Sequence, residues 1–229
     1  MTQTALIIGA TGGIGRALAD ALEAQGVHER VVRLSRHSDP AVDVCDEASI
    51  ARAAEWLAEE GAALRLVIDA TGFLHDARFR PERALAGIDP DHMAKAFAIN
   101  ATGPALLMKH VLPLLPREGR SVFATLSARV GSIGDNRLGG WHAYRASKAA
   151  LNQLVRGAAI ELGRKRREAI CVALHPGTVD TPLSGPFARS GLDVRKPDVA
   201  ADEILAVIDA LTPADSGGFF DHKGERVAY

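Results

Sequence analysis

Short apolar runs alternate with longer amphipathic stretches along the whole chain, and this alternation restricts the fold more than any other feature. Ala5-Leu6-Ile7-Ile8, Val31-Val32-Arg33-Leu34, Leu64-Arg65-Leu66-Val67-Ile68, Ser121 to Leu126 and Ala169 to Leu174 are mostly apolar from end to end. A strand wetted on one face alternates polar with apolar residues, so runs like these belong to strands covered on both faces. Between them the spacing predicts helices over 14–22, 47–58, 91–112, 141–162 and 198–211, with Asp46 as a cap and Pro90 in the first turn after Asp89. Ala41-Val42-Asp43-Val44 reads as a short third strand and Gly218-Phe219-Phe220 as the last. Strands and helices in this alternation predict a doubly wound α/β fold, a parallel sheet of about seven strands with helices on both faces. No linker, repeat or low-complexity tract interrupts the 229 residues, so one domain over 1–229 is expected.

Charge and composition exclude several classes of partner. The chain carries 27 Lys+Arg against 28 Asp+Glu, which leaves no basic field to attract nucleic acid. No stretch reaches the roughly 18 apolar residues that a membrane helix needs. Met1-Thr2-Gln3-Thr4 lacks the basic start of a secretory leader, and a cytoplasmic location is expected. Cys45 and Cys171 are too few for a disulfide framework and read as reduced, packed thiols. The eight histidines show no metal-ligand spacing.

Gly9-Ala10-Thr11-Gly12-Gly13-Ile14-Gly15 lies between the first strand and the first helix. Glycines there permit a tight turn and close backbone approach to a pyrophosphate, and the helix end supplies free N–H groups. Gly9, Gly13 and Gly15 give G-x-x-x-G-x-G, while Gly9, Gly12 and Gly15 fit G-x-x-G-x-x-G. About 20 residues further on, an acid would hold the ribose hydroxyls of NAD. Ser35-Arg36 stands there instead, and the guanidinium suits the 2′-phosphate of NADP. Asp39 is the rival that would restore NAD preference.

Tyr144 and Lys148 are spaced i, i+4 on one helix, so phenol and ammonium face one cavity. Proton exchange near pH 7 asks for a phenol pKa lowered by about 3 units, and a cation about 4 Å away supplies that much before desolvation opposes it. On this reasoning Lys148, with the charge of an oxidised nicotinamide, lowers the pKa of Tyr144.

Taken with the glycine loop, Tyr144-Arg145-Ala146-Ser147-Lys148 resembles the Tyr-x-x-x-Lys of the short-chain dehydrogenase/reductase family. The resemblance covers nearly the whole chain and implies a Rossmann fold of the classical branch. It selects Gly9, Gly13 and Gly15, with Thr11 and Ile14, as the pyrophosphate turn. Asp43-Val44 resembles the family's adenine contact, and Asp69-Ala70-Thr71-Gly72 stands where the family has Asn-Asn-Ala-Gly. Asn100 matches the asparagine of the catalytic tetrad, and Pro176, Gly177, Val179 and Thr181 match the segment that meets the nicotinamide. Asp69 replaces an amide, so hydrogen bonding must differ there. Ser127 ends a strand, as the catalytic serine should, but stands 17 residues before Tyr144. Ser132 is nearer the usual distance yet lies in a segment, 128–140, that reads as an insertion. Strand-end position favours Ser127. The Ser-Ala-Arg-Val-Gly-Ser-Ile stretch is similar to the C-factor and sniffer-type carbonyl reductase subgroup.

The resemblance implies hydride transfer between NADP and a small carbonyl or secondary alcohol. Tyr144 would exchange the proton, Lys148 would lower its pKa and hold the nicotinamide ribose, Ser127 would polarise the carbonyl, and Asn100 would hold a water reaching Lys148. The resemblance allows a homodimer or homotetramer through the two long helices, and also a monomer, since members of both kinds occur. The loop over 178–197, with Gly185, Pro186, Phe187 and Gly191, reads as a substrate lid. Arg164-Lys165-Arg166-Arg167 reads as a solvated helix end, and His175 before Pro176 as either a structural imidazole or a substrate contact. The rival to an enzyme is a cofactor-binding signalling protein of C-factor type with weak or no turnover.

Overall fold

A computed structural model of the chain describes residues 2–187 and 193–229. The apolar runs form β1 (Thr2–Ile8), β2 (Arg30–Leu34), β3 (Ala62–Asp69), β4 (Ser121–Leu126) and β5 (Ala169–His175). Two-residue strands β6 (Thr178–Val179) and β7 (Val194–Arg195) follow, and β8 (Phe219–Asp221) is the last. The helices are α1 (Gly13–Gln25), α2 (Glu47–Glu59), α3 (Pro90–Phe97), α4 (Gly103–Val111), α5 (His142–Gly163) and α6 (Pro197–Ala210).

The main sheet is parallel in the order β2-β1-β3-β4-β5-β8. Successive strand residues divide between two cores. Leu6, Ile8, Phe123 and Cys171 join α2, α4 and α5 on one face, while Ala5, Ile7, Val122 and Ile170 join α1 and α6 on the other. Coverage on both faces is why these strands read as continuous apolar runs.

The sheet has six strands rather than about seven, because 41–44 is not a strand. Its backbone groups find other partners: Val42 N–H donates to the Ser35 carbonyl (2.8 Å) and Asp43 N–H to Ser49 Oγ (3.0 Å). The segment thus folds into the entry of α2, which Asp46 caps by accepting from Ala48 N–H. The expected helix over 91–112 starts at Pro90, with Asp89 accepting from two N–H groups of its first turn, but is broken by a π turn at Ala98–Thr102.

The order of strands reverses between β1 and β3, since β2 lies to one side of β1 and β3, β4, β5 and β8 to the other, while β6 and β7 pair in a separate two-stranded sheet. Ligands of such sheets bind in the crevice beyond the carboxyl ends at this point. Both the glycine turn after β1 and Ala70-Thr71-Gly72 after β3 open there.

Candidate active site

Steric need accounts for the glycine turn. Gly9 has φ +82°, and a Cβ on Gly15 would stand 2.3 Å from the Gly9 carbonyl oxygen. A Cβ on Gly13 would stand 2.7 Å from Thr181 Cγ2, so this glycine brings the turn against the Pro176–Thr181 segment. A Cβ on Gly12 would lie 3.3 Å from the Gly9 oxygen, a milder contact. The spacing that matters is therefore Gly9, Gly13, Gly15. No side chain caps α1 and its first turn holds no acid, so its N–H groups remain open to an anion.

A groove of about 570 Å³ runs from this turn across the sheet edge. Gly9, Thr11, Ser35, Arg36, Asp43, Val44, Ala70, Thr71 and Gly72 line it; Gly13, Ile14 and Gly15 lie behind its wall as the start of α1. Arg36 is exposed on the rim, and Asp39 is not among the lining residues. Cys45, expected to be packed, is exposed on the same rim, while Cys171 is buried in β5. Phe73, His75 and Lys95 also line the groove. Their segments carry no local signal for it.

Tyr144, Lys148 and Asn152 repeat at i, i+4, i+8 along α5. Lys148 is buried, donates from Nζ to the Leu126 carbonyl (2.8 Å), and lies 6.0 Å from the Tyr144 ring centre. Burial lowers its pKa to about 8, against which the carboxylate of Asp69 acts. Asp69 is fully buried; it accepts from Thr71 N–H (3.0 Å), Thr71 Oγ1 (2.6 Å) and, across the strands, Thr125 Oγ1 (2.7 Å). These donors replace the amide contacts of the usual asparagine. Burial pushes the Asp69 pKa up, and the donors and Lys148 oppose it.

The expected lowering of the Tyr144 pKa is not found. Tyr144 is partly exposed, but the protein packed around its hydroxyl pushes the pKa up to about 12. Lys148 directs its ammonium at a carbonyl rather than at the phenol, so desolvation prevails. In this state the phenol holds its proton firmly.

Ser127 is buried at the end of β4 and donates to Asn152 Oδ1 (2.7 Å). Ser132 is buried as well, and its Oγ accepts from Asp135 N–H (3.1 Å). Asn152 lies one turn beyond Lys148, and extending the i, i+4 series from Tyr144 would have found it. Asn100 sits in the π turn: Oδ1 accepts from Phe73 N–H (2.7 Å), while Nδ2 donates to the Phe73 carbonyl (2.8 Å) and to Ser147 Oγ (3.0 Å), which leaves one lone pair of Oδ1 as the side chain's remaining acceptor.

Segment 128–140 is fastened to both α5 and the C-terminal tail. A Cβ on Gly131 would lie 2.8 Å from Lys148 Cβ, and Gly134 N–H donates to the Tyr229 carbonyl (3.0 Å). The 178–197 loop closes at its base through β6 and β7 and folds Phe187 onto His75 and Trp141, at ring-centre distances of 5.1 and 5.3 Å. Gly191 lies outside the described residues. Pro176, Gly177 and Val179 border this loop; burial and the neighbouring His222 lower the pKa of His175 to about 4, so its imidazole stays neutral. Arg166 clamps the end of α5 by donating to the carbonyls of Pro113 and Leu115, which fits a helix end rather than a nucleic-acid patch.

A glycine turn at the sheet's switch point and a Tyr-x-x-x-Lys helix beside it define an oxidoreductase architecture. Residues 9–199 match the family model described as enoyl-(acyl carrier protein) reductase, and the chain belongs to the short-chain dehydrogenase/reductase family. It is 40% identical over 146 residues to the C-signal of Myxococcus xanthus, covering 64% of this chain and 84% of that one. It is 32% identical over 231 residues to the 1-hydroxy-2-glutathionyl-2-methyl-3-butene dehydrogenase of Rhodococcus sp. (strain AD45), covering 97% of each. Among solved structures, the NADPH-bound carbonyl reductase from chicken fatty liver superposes with a TM-score of 0.87 at 26% identity, over 100% of this chain and 99% of that one. The carbonyl reductase Sniffer of D. melanogaster shares the fold, with a TM-score of 0.84 at 22% identity over the full length of both chains. Among the described residues no helix is long and apolar enough to cross a membrane, and no cluster of three metal-ligating side chains occurs.

Proposed function

We propose that the chain is an NADP-dependent oxidoreductase that reduces a small carbonyl compound to an alcohol, with Tyr144 as the proton donor. The observation that carries this reading is the pairing, on one face of α5, of Tyr144 with the buried Lys148, whose Nζ would stand 3.8 Å from a Cβ on Gly72 in the groove wall. Gly9, Thr11 and the open start of α1 suit a pyrophosphate, and Arg36 suits the 2′-phosphate. NADPH supplies the hydride when bound. Tyr144 Oη would give its proton to the carbonyl oxygen as general acid. Ser127 turns its hydroxyl from Asn152 toward that oxygen and polarises it. Lys148 holds the cofactor ribose, and its cation stabilises the phenolate left on Tyr144. A water on the π turn around Asn100 restores the proton. Pro176, Gly177, Val179 and Thr181 hold the nicotinamide side of the groove, with Asp43 and Val44 at the adenine end.

The test is an NADPH-oxidation screen over aldehydes, ketones and quinones with Tyr144→Phe as control. The 40% identity to the C-signal favours a second reading, a cofactor-binding signalling protein. Tight NADPH binding with no turnover across the panel would select it.

A further inference from the structure

The segment between β3 and α3, residues 70–89, is a strap across the catalytic helix, and Glu82 is its buried anchor. Glu82 and His92 are 5% and 3% exposed, and their Oε1 and Nδ1 atoms stand 3.1 Å apart. Phe79 stacks flat on the His92 ring at 5.0 Å, and Phe73 meets it edge-on at 5.9 Å. The two rings hold the imidazole in place, and Glu82 Oε1 stands buried against it without a hydrogen bond.

The free end of that carboxylate reaches α5. Glu82 Oε2 accepts from Ala143 N–H (3.2 Å), and the Glu82 carbonyl accepts from Trp141 N–H (2.6 Å). Trp141 is the N-cap of α5, gives no side-chain cap, and has φ +53°, a conformation that a bulky residue adopts only where its surroundings impose it. Gly140 before it has φ +64°, and a Cβ there would come 3.2 Å from the Glu82 carbonyl oxygen. The cap of this helix thus comes from a residue 61 positions earlier. A carboxylate at that end also meets the positive pole of the helix dipole.

We propose that Glu82, packed against His92 and bonded to the start of α5, is a positioning residue for the reaction. It sets Trp141 and the first turn of α5, and with them the phenol of Tyr144, the next residue after Ala143. This inference rests on the reductase reading for its rate measurements, but not for its spectroscopic one.

Trp56 and Trp141 are the chain's two tryptophans, and Trp56 lies on α2, so a Trp56→Phe background leaves Trp141 as sole reporter. In that background Glu82→Ala should lower kcat about tenfold or more, since an error of about 1 Å in a reacting group costs up to 10²-fold. NADPH affinity should stay within about twofold, because neither Glu82 nor His92 lines the groove. Trp141 emission should shift to the red and become easier to quench with acrylamide. Glu82→Gln, which keeps an oxygen for Ala143 N–H, should recover most of the rate and the parent emission. If Glu82→Ala does not fold, His92→Gln, which removes the ring packed against the carboxylate without emptying its pocket, should show the same split. Unchanged kcat and emission would overturn the proposal, as would a loss of NADPH affinity equal to the loss of rate. A parent protein that turns over no carbonyl would count against the reductase reading alone, with the emission still reporting on Glu82.

Discussion

The half of the molecule around β1–β3 and the half around β4–β5 share one crevice but are built by different means. In the first, backbone makes the site: Gly9, Gly13 and Gly15 remove side chains so that a turn, a helix start and Thr181 can close together. In the second, side chains from distant segments hold one helix. Glu82 reaches Ala143, Asn100 reaches Ser147, Ser127 reaches Asn152 and Lys148 reaches the Leu126 carbonyl. The glycine turn is therefore written in consecutive residues, and the contacts that hold α5 in pairs far apart.

If the two halves are independent, damage to one should spare the other. Tyr144→Phe keeps the ring but removes the proton donor, and turnover should fall by roughly 10²–10⁴ with NADPH affinity nearly unchanged. Stopped-flow or steady-state assays on any carbonyl from the screen, with a cofactor titration alongside, decide this. A variant that turned over at the parent rate would place the chemistry elsewhere.

Ser127→Ala should cost about two orders of magnitude in kcat, the scale for losing an oriented donor to a developing oxyanion. Ser132→Ala should keep most activity. Because Ser127 donates to Asn152 at rest, Asn152→Ala is the sharper companion: it frees the Ser127 hydroxyl without removing it. A larger loss at Ser132 than at Ser127 would move the polarising hydroxyl to segment 128–140.

Arg36→Ala addresses the other half. Losing one charge-assisted contact to the 2′-phosphate costs about 1.5–3 kcal/mol, so NADPH should weaken by roughly 10–100-fold while NADH barely changes. Isothermal titration of both cofactors against both proteins reads this directly. Equal parent affinities for the two would remove the case for NADP.

The smallest effect tests where the halves touch. Lys148 is a cation below its pKa of about 8 and neutral above it, so NADPH affinity should fall as pH rises through that value, by about fivefold if one hydrogen bond to the ribose loses its charge. Asp69 raises the Lys148 pKa, so Asp69→Asn should move this midpoint to lower pH. Asparagine can still meet Thr71 and Thr125, which separates charge from packing. An unmoved midpoint would show that Asp69 serves only to join β3 to β4.

The strands were legible because each is covered on both faces and so reads as an apolar run. Segment 41–44 has the same local composition, yet its N–H groups go to Ser35 and Ser49, a choice its own residues do not contain. The helix over 90–111 was legible in extent but not in its π turn, since Ala98 to Thr102 is ordinary helical sequence. Glu82 and His92 gave no signal at all: their partners lie in other elements, and an isolated Glu in a Pro-containing loop reads as solvated.

The sequence by itself determined the parallel sheet, the place of the glycine turn, and the helix face shared by Tyr144 and Lys148. Each of these follows from periodicity or steric need within a dozen residues. Only the tertiary structure decided which groups hold protons and whom they meet: the raised pKa of Tyr144, the lowered pKa of Lys148 beside Asp69, and the hydroxyl of Ser127 given to Asn152. Burial and long-range hydrogen bonds set these, and both depend on which distant segments pack against α5.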